Sequence, residues 1–253
     1  MHRSVSQLNQ YRRCPQAYKL ARIDRVWQRP AAWLIQGSAV HEAVDAWEKS
    51  EGTMTLFEAQ DVYREAFARE SAKYCEETPN FEYWAWSGPY RADRDLERRF
   101  HLGLEQVERY IAWRTTHPEE QVWRTPEGKP ASELEFDIDL DGVQVKGFID
   151  LVLTDEVRDT KTGAVPGDVL QLGTYRVALA KQFGIEVNKG TYWMGKSGKP
   201  TFPYDLTEWT EERVSEEFHQ LEEAIQAERF DPDPEPTKCR FCDVSASCPL
   251  FSA

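Results

Sequence analysis

Two aspartates and a lysine supply the first chemical clue. Asp150, Asp159 and Lys161 fall on two neighbouring runs, 143–153 and 157–161, whose period of two reads as a pair of strands. With Asp155–Glu156 as a two-residue turn, Thr154 faces Val157, Val152 faces Asp159 and Asp150 faces Lys161. Alternation then puts all three charged side chains on one face. Two carboxylates within diagonal reach, with an ammonium beside them, would repel or desolvate badly in an ordinary core. A hard divalent cation, Mg²⁺ or Mn²⁺, removes that conflict because oxygen ligands are what it requires. In phosphoryl hydrolysis such a metal neutralises the phosphate and generates hydroxide, while Lys161 orients the water or stabilises developing charge. From Asp-x-Lys alone the better reading is a surface ion-pair cluster on an exposed strand; the surrounding sequence reverses it.

The thiols form a second constellation. Cys239, Cys242 and Cys248 sit at ligand spacing near one end of the sequence, and Cys14 supplies a fourth thiolate if the other end returns to them. Spacing suits zinc and an iron–sulfur cluster equally. Cys75, in a helix remote from the rest, reads as a plain thiol. Five cysteines, an odd number, argue against a closed disulfide framework.

These groups need elements to position them. Ser4, with Gln7 three residues on, reads as a capping box opening a helix that stops at Cys14–Pro15. Ile35, Ala39, Val40, Ala43, Val44 and Trp47 repeat at helical spacing, which places His41 on a helix. Residues 55–76 and 92–116 predict two further amphipathic helices, joined by the aromatic run Phe81 to Tyr90, whose rings either pack or stack on unpaired bases. Strands follow at 133–140 and 143–153 around an Asp141–Gly142 hairpin, then a helix over 168–183, strands near 189–195 and 200–204, and an acidic helix over 208–228. The chain is therefore expected to be one α/β domain, 1–253: a basic segment at 1–36, a helical insertion at 50–118, a catalytic sheet core at 130–206 and a cysteine tail at 231–253.

Bulk properties bound the function. Largely apolar runs such as Phe148 to Leu153 are far short of the ~20 residues that span a bilayer, so a cytoplasmic protein without membrane contact is expected. The net charge of −13 counts against nucleic acid until it is divided: residues 1–36 carry +6, leaving −19 elsewhere. The basic segment reads either as a local phosphate-binding surface or as a solvated helix face.

The ordered set carries a family resemblance. Gly147-Phe148-Ile149-Asp150, Asp159-Thr160-Lys161 and Gln171-Leu172-Gly173-Thr174-Tyr175 resemble the nuclease core of RecB-like exonucleases of the PD-(D/E)XK superfamily. Gly37 to Glu42 resembles the helical motif of that branch, Glu133 to Phe136 its acidic strand, and Ser6 to Pro15 its first segment. The resemblance implies a restriction-endonuclease-like mixed sheet flanked by helices. It implies His41, Asp150, Asp159 and the Thr160 carbonyl as metal ligands, with Glu133 less certain because Glu135 shares its strand face. Lys161 would be the catalytic lysine, with Gln171 and Tyr175 four apart on one helical face lining the site. Asp-x-Lys stands where Glu-x-Lys is commoner, which shortens the carboxylate's reach.

A lone Cys-Pro followed, after the whole core, by the cysteine triplet is similar to the CRISPR-associated four-cysteine exonucleases and the AddB-type subunit. That likeness implies a [4Fe–4S] cluster on Cys14, Cys239, Cys242 and Cys248, with zinc the alternative, joining the two ends as a structural staple. The implied activity is a DNA exonuclease preferring single-stranded ends, in recombination, repair or CRISPR adaptation. Its expected partners are DNA and a helicase, recombinase or CRISPR adaptation protein. A non-catalytic DNA-binding adaptor subunit and a zinc-stabilised structural module are the competing readings.

Overall fold

The computed structural model describes residues 2–251. Among these a six-stranded mixed sheet runs through β1 (Ser132–Leu140), β2 (Val143–Val152), β3 (Glu156–Lys161), β4 (Lys189–Met194), β5 (Lys199–Pro200) and β6 (Tyr204–Asp205). The first three strands are antiparallel neighbours, β3 and β4 run parallel, and β5 and β6 both pair antiparallel with β4. Asp141 and Gly142 adopt φ of 51° and 94°, the left-handed pair that a tight hairpin between twisted strands requires. The expected Asp141–Gly142 turn therefore joins Leu140 to Val143.

Helices cover both faces. Against one face lie α1 (Val5–Arg13), α6 (Leu170–Phe183) and α7 (Glu211–Gln226), which bury Leu8, Leu172, Val177, Val214 and Phe218 with Phe136, Ile138 and Val145 of the hairpin. A second core joins α3 (Ala32–Lys49), α4 (Leu56–Glu77) and α5 (Ala92–Thr116) through Ile35, Val40, Tyr63, Phe67, Val107 and Tyr110. Neighbouring β4 residues divide between them: Tyr192 enters the first core and Trp193 the second. With both faces covered, β3 is buried over nearly its whole length, as expected of a strand with a parallel neighbour.

Three local readings change. The β2–β3 turn is Thr154–Asp155, one residue earlier than Asp155–Glu156, because Leu153 donates to the Glu156 carbonyl at 2.8 Å. Val152 accordingly faces Val157 and Leu151 faces Arg158, which moves Asp150 away from Lys161 and towards Asp159 while keeping every side chain on its expected face. Ser4 caps α1 by accepting from the Gln7 amide, but the Gln7 side chain turns to the Tyr18 hydroxyl, so only half of the capping box forms. Residues 15–23, unassigned by periodicity, form α2 (Pro15–Tyr18) and a π-helical turn at Lys19–Ile23.

The two end regions pack together. Leu20 and Ala21 bury against Val244 with Cys242 and Cys248 alongside, and the Arg29 amide donates to the Asp243 carbonyl at 2.7 Å. Among the described residues no helix is long and apolar enough to cross a membrane.

Candidate metal centre and nuclease site

Sheet geometry opens the site. Pairing of β2 with β3 extends no further than Leu151–Arg158. The Asp150 carboxylate enters beyond it and accepts from the Thr160 amide at 2.8 Å, in place of a ladder bond. Glu133 falls opposite Asp150, between the Ser132–Leu151 and Leu134–Ile149 pairs. Its φ of 44° is left-handed, a conformation that strains any residue with a Cβ and is characteristic of functional sites. This twist takes Glu133 out of simple alternation with Glu135, which is exposed.

From α3, His41 reaches down to both acids: its Nδ1 lies 3.3 Å from Asp150 Oδ2 and 3.5 Å from Glu133 Oε1. One ligand atom from each of His41, Glu133 and Asp150 lies within 4.8 Å of the other two. Asp159 stands behind them, 1% exposed. Its Oδ2 is 2.7 Å from the Lys161 ammonium, and its Oδ1 accepts from the Tyr175 hydroxyl at 3.3 Å. Gln171 closes a ring, accepting from Lys161 at 2.8 Å and donating to the Tyr175 oxygen at 2.7 Å. Spacing of four on α6 thus brings Gln171 and Tyr175 together as expected.

The electrostatics are those of an anionic nest. Burial first, and then the charge of Asp159, push the Asp150 carboxyl up to about 7. Burial would lower His41, but the charge of Asp150 and the hydrogen bond with Glu133 outweigh it and raise the imidazole to about 9. Burial and the two aspartates raise the Tyr175 hydroxyl, which is therefore neutral and able to donate. Several acids compete here for few cationic partners, and one imidazole nitrogen with two carboxylates is a donor set that fits a divalent cation.

Periodicity missed a polar bridge behind the site. Gln36 of α3 and Gln106 of α5 are both fully buried and hydrogen-bonded to each other at 2.5 Å. Gln106 continues to the Thr162 carbonyl, directly after Lys161, and Arg99 holds Gln36 from the other side. The available signal was a glutamine at helical spacing within an apolar stripe, Gln36 before Val40 and Gln106 before Tyr110.

The expected basic segment is largely paired within the chain. Arg3 is buried against Glu222, Arg12 meets Glu217, Lys19 meets Asp24, and Arg29 donates to the Arg240 and Cys242 carbonyls. The aromatic run divides: Trp84 is buried and donates to the Thr78 carbonyl, whereas Tyr83, Trp86 and Tyr90 are exposed.

Cys14, Cys239, Cys242 and Cys248 line one cavity of about 360 Å³, and none is in a disulfide. Burial, followed by the neighbouring Asp243 and Cys14, raises the Cys242 thiol. Cys75 lies apart, beside the second core.

Helices on both sides of a mixed sheet, with an acidic site on β1 to β3, define an α/β protein with a candidate metal centre. The family model of the PD-(D/E)XK nuclease superfamily matches residues 2–249, and the chain belongs to that superfamily. It is 57% identical over 261 residues to the Gene 69 protein of Mycobacterium phage D29, covering 98% of this chain and 97% of the relative. It is 54% identical over 280 residues to the Gene 69 protein of Mycobacterium phage L5, covering 98% and 96%. A crystal structure of a candidate exonuclease from Eubacterium rectale shares the fold, with a TM-score of 0.51 over 100% of this chain and 90% of that one, at 12% identity. PD-(D/E)XK nucleases use divalent metals, and among the described residues His41, Glu133 and Asp150 form a group that could hold one.

Proposed function

We propose that this chain is a divalent-metal-dependent DNA exonuclease that prefers single-stranded ends. The observation that carries the reading is the meeting of His41, Glu133 and Asp150 beside the Asp159–Lys161–Gln171–Tyr175 ring. His41, Glu133 and Asp150 would hold the cation, and the resemblance adds Asp159 and the Thr160 carbonyl as further ligands. An imidazole among the ligands suits Mn²⁺ better than Mg²⁺. The bound cation supplies Lewis acidity at the phosphate and lowers the pKa of an attacking water. Lys161 stabilises the charge that develops on the phosphoryl oxygens, Gln171 fixes the direction of its ammonium, and the Tyr175 hydroxyl holds Asp159 in place. The mycobacteriophage relatives favour DNA processing during phage infection, with a helicase or recombinase as partner, over CRISPR adaptation.

The test is degradation of end-labelled linear strands, duplexes and closed single-stranded circles with Mn²⁺ or Mg²⁺, comparing wild type with Asp150→Asn. Shortening of linear single strands, intact circles and an inert variant are expected. Binding of DNA ends without cleavage under either metal would establish the adaptor reading instead.

We further propose that the four thiolates hold a [4Fe–4S] cluster. Cys14, Cys239, Cys242 and Cys248 line one cavity, and four thiolates suit zinc and an iron–sulfur cluster equally, so the likeness to the four-cysteine exonucleases is what favours the cluster. Brown protein with visible charge-transfer absorbance after anaerobic purification is expected; colourless protein with stoichiometric zinc would overturn the cluster.

A further inference from the structure

The outer edge of the sheet carries a feature that the site described above does not use. Trp193 pairs with Pro200 on β5, whereas Gly190 pairs with Tyr204 on β6. Thr201 sits beside Tyr192, its amide donating to the Tyr192 carbonyl at 2.9 Å and its hydroxyl accepting from the Tyr192 amide at 3.2 Å. Thr191 therefore faces two residues, Phe202 and Pro203. That count makes a β-bulge, a device that re-aims a side chain and recurs beside active sites. Here the re-aimed side chain is Phe202, 94% exposed. An edge strand is ordinarily guarded by a charge or a proline. Pro203 already does that, so protection of the edge leaves the bare ring unexplained.

Two observations indicate what covers this ring. The bulge pairs with the strand that adjoins the candidate site: on β4 the Tyr192 ring lies 5.8 Å from the Lys161 ammonium, and the Gly195 amide donates to the Lys161 carbonyl. The same edge also carries two unpaired lysines. Lys196 and Lys199, in the turn between β4 and β5, are exposed, and among the described residues neither ammonium meets a carboxylate. Asp205 is engaged in capping the Thr207 amide. An exposed ring on the same edge as two free ammoniums, one strand from the β4 neighbour of Lys161, matches the two faces of an unpaired nucleic-acid strand: bases that stack and a backbone that needs neutralising.

We propose that Phe202 is the stacking residue for a base of the single strand entering the site, and that Lys196 and Lys199 hold the adjoining phosphates. The inference rests on the exonuclease reading and adds to it the track of the substrate. Because stacking accepts any base, the subsite holds the strand without selecting its sequence. A protein partner on the same ring is the competing occupant.

The test measures binding of a fluorescent oligothymidylate to the full chain carrying Lys161→Ala, which slows cleavage far below the time of the measurement, by anisotropy in Mn²⁺. Phe202→Ala is expected to weaken binding about tenfold, within the range of base–aromatic stacking. Phe202→Trp should restore it and Phe202→Leu should not. Phe57→Ala, at an exposed ring on α4, serves as the control and should change nothing. Replacing single nucleotides by abasic residues should identify one position whose loss weakens the Phe202 protein and leaves Phe202→Ala indifferent. Unchanged affinity in Phe202→Ala, or full rescue by leucine, overturns the proposal. Wild-type degradation of linear strands, run in parallel, keeps the outcomes distinct: its failure removes the exonuclease reading, whereas normal degradation with an inert Phe202→Ala removes only the subsite.

Discussion

The imidazole of His41, on a helix of one layer, and the carboxylate of Asp150, on a strand of the sheet beneath it, meet at 3.3 Å. The contact spans the boundary between layers, so the metal that it implies would bridge α3 to β2 as well as serve chemistry. Replacing either residue should therefore affect metal affinity before anything else. His41→Ala and Asp150→Asn are each expected to weaken Mn²⁺ binding by at least tenfold in calorimetry, since loss of even a ligand's hydrogen-bond partner typically costs about 10- to 100-fold. Retention of full affinity in both would remove the centre.

Lys161 gives the opposite pattern. Its ammonium contacts Asp159 and Gln171, and the histidine-containing triad does not include it. Lys161→Ala should leave Mn²⁺ affinity within a few-fold of wild type and lower the turnover of labelled DNA by roughly 10²- to 10³-fold. A parallel loss of metal binding would instead make the lysine structural.

Glu133 can be separated into its strain and its ligand atom. At a φ of 44° glycine is unstrained, while alanine keeps the Cβ penalty. Glu133→Gly should therefore be more stable than Glu133→Ala by about 1 kcal/mol in denaturant unfolding, and both should lose metal affinity. Equal stabilities would show that the backbone there is relaxed.

Away from the site, Glu120 bonds to Arg158 and Arg114. Burial opposes its charged form, but the Arg158 hydrogen bonds and charge outweigh that and hold the carboxyl below its usual 4.5. A carboxyl lowered by folding contributes stability that is present above the unfolded value and lost as pH falls through the folded one. The melting temperature of wild type should drop below about pH 4.5 more steeply than that of Glu120→Gln, with the two curves converging in acid. Parallel curves would contradict the assignment.

Much of this was legible because the informative residues sit on long, regular elements. The Asp141–Gly142 turn, the helix carrying His41 and the spacing of Gln171 and Tyr175 follow from local periodicity, and tertiary packing leaves them unaltered. The β2–β3 turn was displaced by one residue because Thr154–Asp155–Glu156 holds no glycine. Its register is set instead by distant contacts, Trp123 donating to Val152 and Thr154 to Gln121. The left-handed Glu133 carries no mark in its residue type. Nor could charge counting show that Arg3 and Arg12 find Glu222 and Glu217 on α7, which turns a basic segment into an internal clasp.

The Gln106 side-chain amide accepts from Gln36 of α3 through its oxygen and donates through its nitrogen to the Thr162 carbonyl, in the loop that follows Lys161. Gly195 lies so near that a methyl group there would come within 2.6 Å of it. The helical layer thereby acts as a spacer between α3, α5 and the end of the lysine strand. Selection for altered cleavage rates should accordingly recover changes deep between α3 and α5, among side chains that never meet a nucleotide.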